Sequence, residues 1–176
     1  DGPWLYHYKN GKLKEKGHYS KALLEGQWVY HHKNGRLKAQ KHFTKGQLNG
    51  AVVVHYDNGK IQSKQNFHDG LQHGSFLSFY KDGNKKCEGY YERGIKQGNW
   101  TNYHPKGKLE SYGNYQANYE QGIWSYYYPN AHLKARGLYQ NGYKDGTWKL
   151  YYKNEVLAEE INYKNHLKEG TVQRFY

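Results

Sequence analysis

Cysteine, methionine and branched aliphatic side chains are scarce in this chain of 176 residues. There is no methionine, and Cys87 is its one cysteine. A single cysteine excludes an internal disulfide framework and a cysteine-based zinc site. No apolar run approaches the roughly 18 residues of a membrane span, and no signal-peptide pattern opens the chain. No P-loop, dinucleotide fingerprint, HExxH zinc motif or nucleophile elbow occurs. Without methionine, and with Asp1 falling in the middle of a repeat, the sequence reads as an excised or processed piece from which a targeting segment has been removed.

What replaces the aliphatics is aromatic: 21 Tyr and 5 Trp in a chain only 36% hydrophobic. A core built of such rings buries large areas but keeps polar tips that need water or a partner, which favours a thin structure over a compact ball. The charge is lopsided, 27 Lys and Arg against 15 Asp and Glu, a net +12. Such a field draws in anionic partners, and it also keeps an aromatic sheet soluble.

Glycine recurs every 24 residues, at Gly2, Gly26, Gly50, Gly74, Gly98, Gly122, Gly146 and Gly170, giving seven full repeats and the start of an eighth. Two residues on stand Trp4, Trp28, Val52, Phe76, Trp100, Trp124, Trp148 and Val172, and six residues on Tyr8, His32, Tyr56, Tyr80, His104, Tyr128, Tyr152 and Tyr176. Large residues at alternate positions mark a strand with one packed face. Next come Asn10-Gly11, Asn34-Gly35, Asn58-Gly59 and Asp82-Gly83, pairs that suit a two-residue type I′ hairpin turn. The signal decays through Lys106-Gly107 to Asn130-Ala131 and Asn154-Glu155, which predicts less sharply defined hairpins at the end.

A two-residue turn fixes a register. It sets Trp4 opposite Gly17, Phe76 opposite Gly89, Trp100 opposite Gly113 and Trp124 opposite Gly137, and it sets Gly2, Gly98 and Gly122 opposite Tyr19, Tyr115 and Tyr139. Large meets small, as a close-packed face requires. Trp28 facing Lys41 and Trp148 facing Ile161 break the rule, and local adjustment is expected there.

The pattern Gly-x-Trp-x-Tyr-x-Tyr, Asn-Gly-Lys-Leu, Gly-x-Tyr, then Gly after a four-residue link resembles the MORN repeat, and most closely the 24-residue variant common in bacterial proteins. Residues 26–50 show it well, and the resemblance covers the whole chain, 1–176, as one array. It implies an all-β fold, an elongated, single-layer, twisted antiparallel sheet of about seven consecutive hairpins. It also implies a scaffold, a protein-binding module or a membrane-proximal element, and some bacterial relatives are antitoxins of the YwqK type. The family has no agreed residue signature for these roles, and fold alone does not fix function.

Alternation sends the remaining side chains to the opposite face. The first strands contribute Leu5, His7, Val29, His31, Val53, His55, Leu77, Phe79, Thr101, Tyr103, Ser125, Tyr127, Lys149 and Tyr151. The second strands contribute Lys12, Lys14, Lys16, Arg36, Lys38, Lys60, Lys64, Lys86, Lys108, Lys134 and Arg136. Lys86 is placed opposite Phe79 and Lys134 opposite Tyr127, within range for a cation over a ring. The candidate partner-binding set is Lys12, Lys14, Arg36, Lys38, Lys60, Phe79, Lys86, Tyr103, Tyr127, Lys134 and Tyr151. The same pairs could instead only stabilise an exposed sheet and keep its edges apart.

Catalysis needs convergent groups in a pocket, and none is legible. Cys87 shares its slot with Glu15, Ala39, Ser63, Ser111, Ala135 and Glu159, so it reads as a small spacer. His7, His31 and His55 fall two strands apart, roughly 10 Å, too far to share a metal whose ligands lie at about 2.0–2.1 Å. His31 and His32 point to opposite faces, as do Glu159 and Glu160. The expectation is a non-enzymatic chain without cofactor or metal, binding a protein partner, a toxin among the candidates, or alternatively an acidic phospholipid surface. Nucleic acid is the weaker reading, because no nucleic-acid motif is present.

Overall fold

The computed structural model describes residues 1–164, 167–170 and 172–175; Tyr176, the last member of the aromatic series above, lies outside them. The fold is all-β, with seventeen strands and no helix among the described residues. The chain forms two compact units, Asp1–Lys85 with Tyr91–Gly94, and Lys86–Tyr90 with Ile95–Tyr176. Unit one holds β1 (Gly2–His7), β2 (Leu13–Ser20), β3 (Leu23–His31), β4 (Leu37–Thr44), β5 (Gln47–His55), β6 (Ile61–His68), β7 (Leu71–Gln72) and β8 (Gly74–Phe79). Residues of β9 (Lys85–Glu92) belong to both. Unit two continues with β10 (Ile95–Tyr103), β11 (Leu109–Gln116), β12 (Tyr119–Tyr127), β13 (Leu133–Gln140), β14 (Tyr143–Tyr151), β15 (Leu157–Lys164), β16 (Leu167–Lys168) and β17 (Gln173–Arg174). Within each unit consecutive strands pair antiparallel in an open sheet.

The expected register holds: Trp4 faces Gly17, Trp100 faces Gly113, Trp124 faces Gly137, and Gly2, Gly98 and Gly122 face Tyr19, Tyr115 and Tyr139. Trp28 against Lys41 and Trp148 against Ile161 need no adjustment of their own. The irregularity lies elsewhere and in each of these hairpins alike, as at Tyr6/His7 and Tyr126/Tyr127.

The turns correct the sequence reading. At Asn10-Gly11 the amide of Gly11 donates to the Tyr8 carbonyl at 2.9 Å and that of Tyr8 to the Lys12 carbonyl at 2.8 Å. Only Gly11 has positive φ, +79°. This is a three-residue loop whose third residue is left-handed, and the strand then absorbs one extra residue, Lys14, between the partners of Tyr6 and His7. The two-residue turns with both centres at positive φ, the type I′ geometry, are instead the links between repeats: Lys21-Ala22, Lys45-Gly46, Asp69-Gly70, Arg93-Gly94, Ala117-Asn118 and Asn141-Gly142. The late loops are also as well formed as the early ones, since Ala131 and Glu155 take φ of +76° and +67° and make the same bonds.

Both amides of a link turn are held by the preceding repeat. Lys45 N–H donates to the Glu25 carboxylate at 2.8 Å and Gly46 N–H to the Leu24 carbonyl at 2.9 Å. Asn49 and Gln121 hold the amides of Asp69 and Asn141 in the same way, both at 2.9 Å. At the other end of the hairpins the bonds run to the following repeat. The Asn10, Asn34 and Asn58 amides donate to the carbonyls of Lys33, Asp57 and Lys81. Tyr8 and Tyr56 hydroxyls donate to His31 and Phe79 carbonyls, each at 2.8 Å. His32 and His104 replace Tyr in this slot because an Nε2–H reaches the same kind of acceptor, the carbonyls of His55 and Tyr127 at 2.8 and 2.9 Å.

The core lies on one face and is built between repeats. Trp28 covers Gly17 of the repeat before it, so that a Cβ on Gly17 would fall 2.1 Å from the ring. Trp100, Trp124 and Trp148 cover Gly89, Gly113 and Gly137 with equivalent spacings of 2.2 Å. The seated indoles are 2–3% exposed, and those of Trp28, Trp124 and Trp148 donate to the carbonyls of His18, Asn114 and Leu138 at 3.0–3.2 Å. Tyrosines stand edge-on beside them, Tyr19 at 5.1 Å from Trp28 and Tyr139 at 5.0 Å from Trp148. Each seating glycine precedes its ring by eleven positions, and where the seat is Lys41 the following repeat carries Val52. The packing partner of each glycine is therefore the next repeat's ring as well as its own hairpin's.

Candidate recognition face

The opposite face is ordered by cross-strand rows. In unit one Leu5, Lys16, Val29, Gln40, Val53, Lys64 and Leu77 face one another strand by strand from β1 to β8. Lys16 and Lys64 are exposed, and Leu5 is 63% exposed. In unit two the row runs Tyr112, Ser125, Arg136, Lys149, Glu160 and Gln173. Lys149 pairs with Glu160 at 2.9 Å.

Rings frame the second row. Tyr112 stacks on Tyr127 with centroids 6.2 Å apart and planes 18° from parallel, and Ser125 is 1% exposed. Burial and the neighbouring Tyr112 push the Tyr127 hydroxyl above its usual pKa, so it stays a neutral donor in ordinary solution. The Tyr103 hydroxyl donates to the Glu88 carboxylate at 2.5 Å. Tyr151 ends β14 in the slot of Tyr103 and Tyr127, and Phe79 ends β8 in unit one.

The predicted cations divide into three groups. Lys12, Arg36 and Lys60 lie in the loops, each reaching a carbonyl of the next loop, those of Asn34, Asp57 and Asp82. Their positive charge forms a loop edge, one step removed from the rows. Lys14 and Lys134 belong with the Trp side: the Lys14 ammonium lies 4.8 Å from the Tyr6 ring centre, and that of Lys134 lies 5.7 Å from Tyr128. This corrects the expected Lys134–Tyr127 pair. The bulge that leaves Tyr127 opposite Leu133 carries Lys134 away, and spacing within a two-residue turn could not show it. Lys38 occupies the same bulge position and is exposed; Lys86, its counterpart two repeats on, is exposed as well and lies in unit two, whereas Phe79 lies in unit one.

The rows themselves include Lys16, Lys64, Arg136 and Lys149, which alternation from the strand centres places correctly. Among the described residues no three His, Cys, Asp or Glu side chains converge on one point, and no helix is long and apolar enough to cross a membrane. Cys87 is half-buried.

The model of the family described as MORN repeat variant matches residues 1–21, 48–69, 72–93, 96–117, 120–141 and 144–165. Residues 22–47 fall outside the match although β3 and β4 pair as the other hairpins do; the glycine seat there is Lys41. No curated relative matches the chain. A solved structure described as "Crystal Structure of TcdB2-TccC3" is similar over 91% of this chain and 13% of that one, with 9% identity and a TM-score of 0.18. This chain thus spans a small part of that protein's length, and a likeness at that score carries no weight for fold or function. With six matched segments covering most of its length, and hairpins that fold to the repeat's own spacing, the chain belongs to the MORN repeat variant family.

Proposed function

We propose that this chain is a non-enzymatic, protein-binding repeat module that recognises its partner on the face opposite the tryptophans. The observation that carries the reading is the division of labour between the faces. Trp28, Trp100, Trp124 and Trp148 are spent on packing, while Tyr112, Tyr127, Arg136 and Lys149 are ordered on the other side by strand pairing rather than by burial. Half-exposed rings and arginine supply rigid contact area at modest entropic cost, the composition that carries affinity in protein interfaces.

A narrower form is an antitoxin or immunity partner. With a net charge of +12, it would suit a toxin with an acidic surface. Capture of a host protein by the immobilised chain, lost on combined Tyr112→Ala and Arg136→Glu substitution without loss of melting temperature, tests the reading. Capture that survives those changes moves the partner elsewhere.

The loop edge favours a second reading, attachment to an acidic phospholipid surface. Lys12, Arg36 and Lys60 recur there at one loop position, and each cation near an acidic bilayer contributes about 1 kcal/mol, weakened by salt. Charge reversal at the three residues should abolish sedimentation with acidic vesicles at low salt. Unchanged sedimentation removes this reading and leaves the first intact.

A further inference from the structure

We propose that His68, His73 and Arg93 form a binding site for a small tetrahedral oxyanion of the sulfate and phosphate class, and that the site fills as the solution is acidified. The three side chains line one cavity of about 370 Å³ in unit one, together with Asp69 and Leu71. The His68 and His73 ring centres lie 6.3 Å apart. The Asp69 carboxylate stands 3.2 Å from His68 Nδ1.

The repeat accounts for this convergence. His73 occupies the slot of Glu25, Asn49 and Gln121, whose side-chain oxygens accept from the amides of Lys45, Asp69 and Asn141, twenty residues on in the next link turn. That slot sets its side chain against the next link, which for His73 is Arg93-Gly94. The slot of His68 closes its own link, with His68 opposite Leu71, and elsewhere carries Ser20, Thr44, Gln116 and Gln140. In no other repeat do these two slots hold two histidines.

The charged and titratable residues of the lining are His68, Asp69, His73 and Arg93. With neutral imidazoles, one cation stands against one carboxylate. Histidine gains its charge as pH falls through the range 8 to 5, and three cations then stand against that carboxylate. Because Asp69 accepts from Nδ1–H of His68, the added proton enters at Nε2 and supplies a second donor. The Arg93 guanidinium offers a planar fork of N–H groups that matches such an anion. A divalent metal suits the cavity less well, since the guanidinium repels it and no three His, Cys, Asp or Glu side chains converge among the described residues. The side chains of His68 and Asp69 are 75% and 62% exposed, so a small ion enters from solvent without rearrangement of the sheet.

The test uses the full chain and sodium sulfate, which keeps its charge as pH changes, titrated at constant ionic strength. The imidazole resonances of His68 and His73 should shift saturably, with an apparent Kd at least about tenfold lower at about pH 5.5 than at about pH 7.5. His68→Gln, His73→Gln and Arg93→Asn each install a residue that another repeat carries in the same slot, Gln116, Gln97 and Asn141. With melting unchanged, each should weaken sulfate binding about tenfold, the worth of one hydrogen bond to a charged group. His18→Gln, at an exposed histidine outside the lining, should leave it unaltered. Methyl phosphate, titrated in the same way, distinguishes a site that takes esters from one confined to the free ion. Equal affinity at the two pH values, full binding in His73→Gln, or an equal loss in His18→Gln overturns the proposal. So does a response of the same resonances to zinc at the higher pH with none to sulfate at the lower.

Discussion

A hydrogen atom in place of a methyl group decides where each of the four buried indoles lies. A Cβ at Gly113 would sit 2.2 Å from Trp124, so Gly113→Ala should destabilise by about 1–3 kcal/mol, the cost of forcing volume into a filled site, as read by urea denaturation. The converse is a transplant. Val52→Trp alone should destabilise, because Lys41 fills its seat, and adding Lys41→Gly should recover at least about 1 kcal/mol through direct coupling. Additivity of the two changes would contradict the seat. The sequence showed the glycines and the rings and paired them correctly in the hairpins of Trp4, Trp100 and Trp124. It hid the partner eleven residues on, because packing between repeats depends on how successive hairpins lie, which strand alternation does not specify. Alkaline behaviour also belongs to this scale. Burial raises the hydroxyls of Tyr30, Tyr126 and Tyr139 above the ordinary 10.0, with Tyr126 held further by Tyr139 at 3.3 Å. A raised folded pKa gives stability that is complete below pH 10.0 and lost as pH rises past it. Denaturation midpoints should therefore fall above that pH, and Tyr126→Phe should blunt the fall.

Among the elements, the loops gave up their existence to the sequence but not their type. Asn-Gly pairs fit a type I′ turn, yet the turn here leaves Asn10 right-handed and uses its side chain twice, accepting from Lys12 N–H at 3.2 Å and donating to the Lys33 carbonyl at 3.0 Å. The true I′ links include Lys21-Ala22 and Ala117-Asn118, of which the first carries neither Asn nor Gly. Tertiary hold by the previous repeat compensates for poor local preference there. Two predictions follow from these geometries. Ala131, at φ +76°, carries a left-handed penalty of roughly 1–2 kcal/mol that glycine escapes, so Ala131→Gly should raise the melting temperature despite a looser unfolded chain. Asn58→Ala removes bonds to Lys60 N–H and the Lys81 carbonyl, 3.0 and 2.9 Å, and should cost about 1 kcal/mol by the same assay.

At the scale of the whole molecule, the array of hairpins was legible from the 24-residue period, and its two faces from alternation. The division of the cations was not. One bulge per hairpin turns Lys14 and Lys134 toward the rings of Tyr6 and Tyr128, and the loops carry Lys12, Arg36 and Lys60 to an edge. The face proposed for a partner holds Tyr103, Tyr112, Tyr127, Tyr151, Arg136 and Lys149, and under that proposal substitution there should touch binding and spare the core. The most direct measurement is quantitative capture of host protein by the immobilised chain carrying Tyr112→Ala, Tyr127→Ala and Arg136→Glu together, with its melting curve taken in parallel. The account predicts a melting temperature near that of the unaltered chain and loss of the captured protein. Capture at the unaltered level from a chain that melts normally would contradict it.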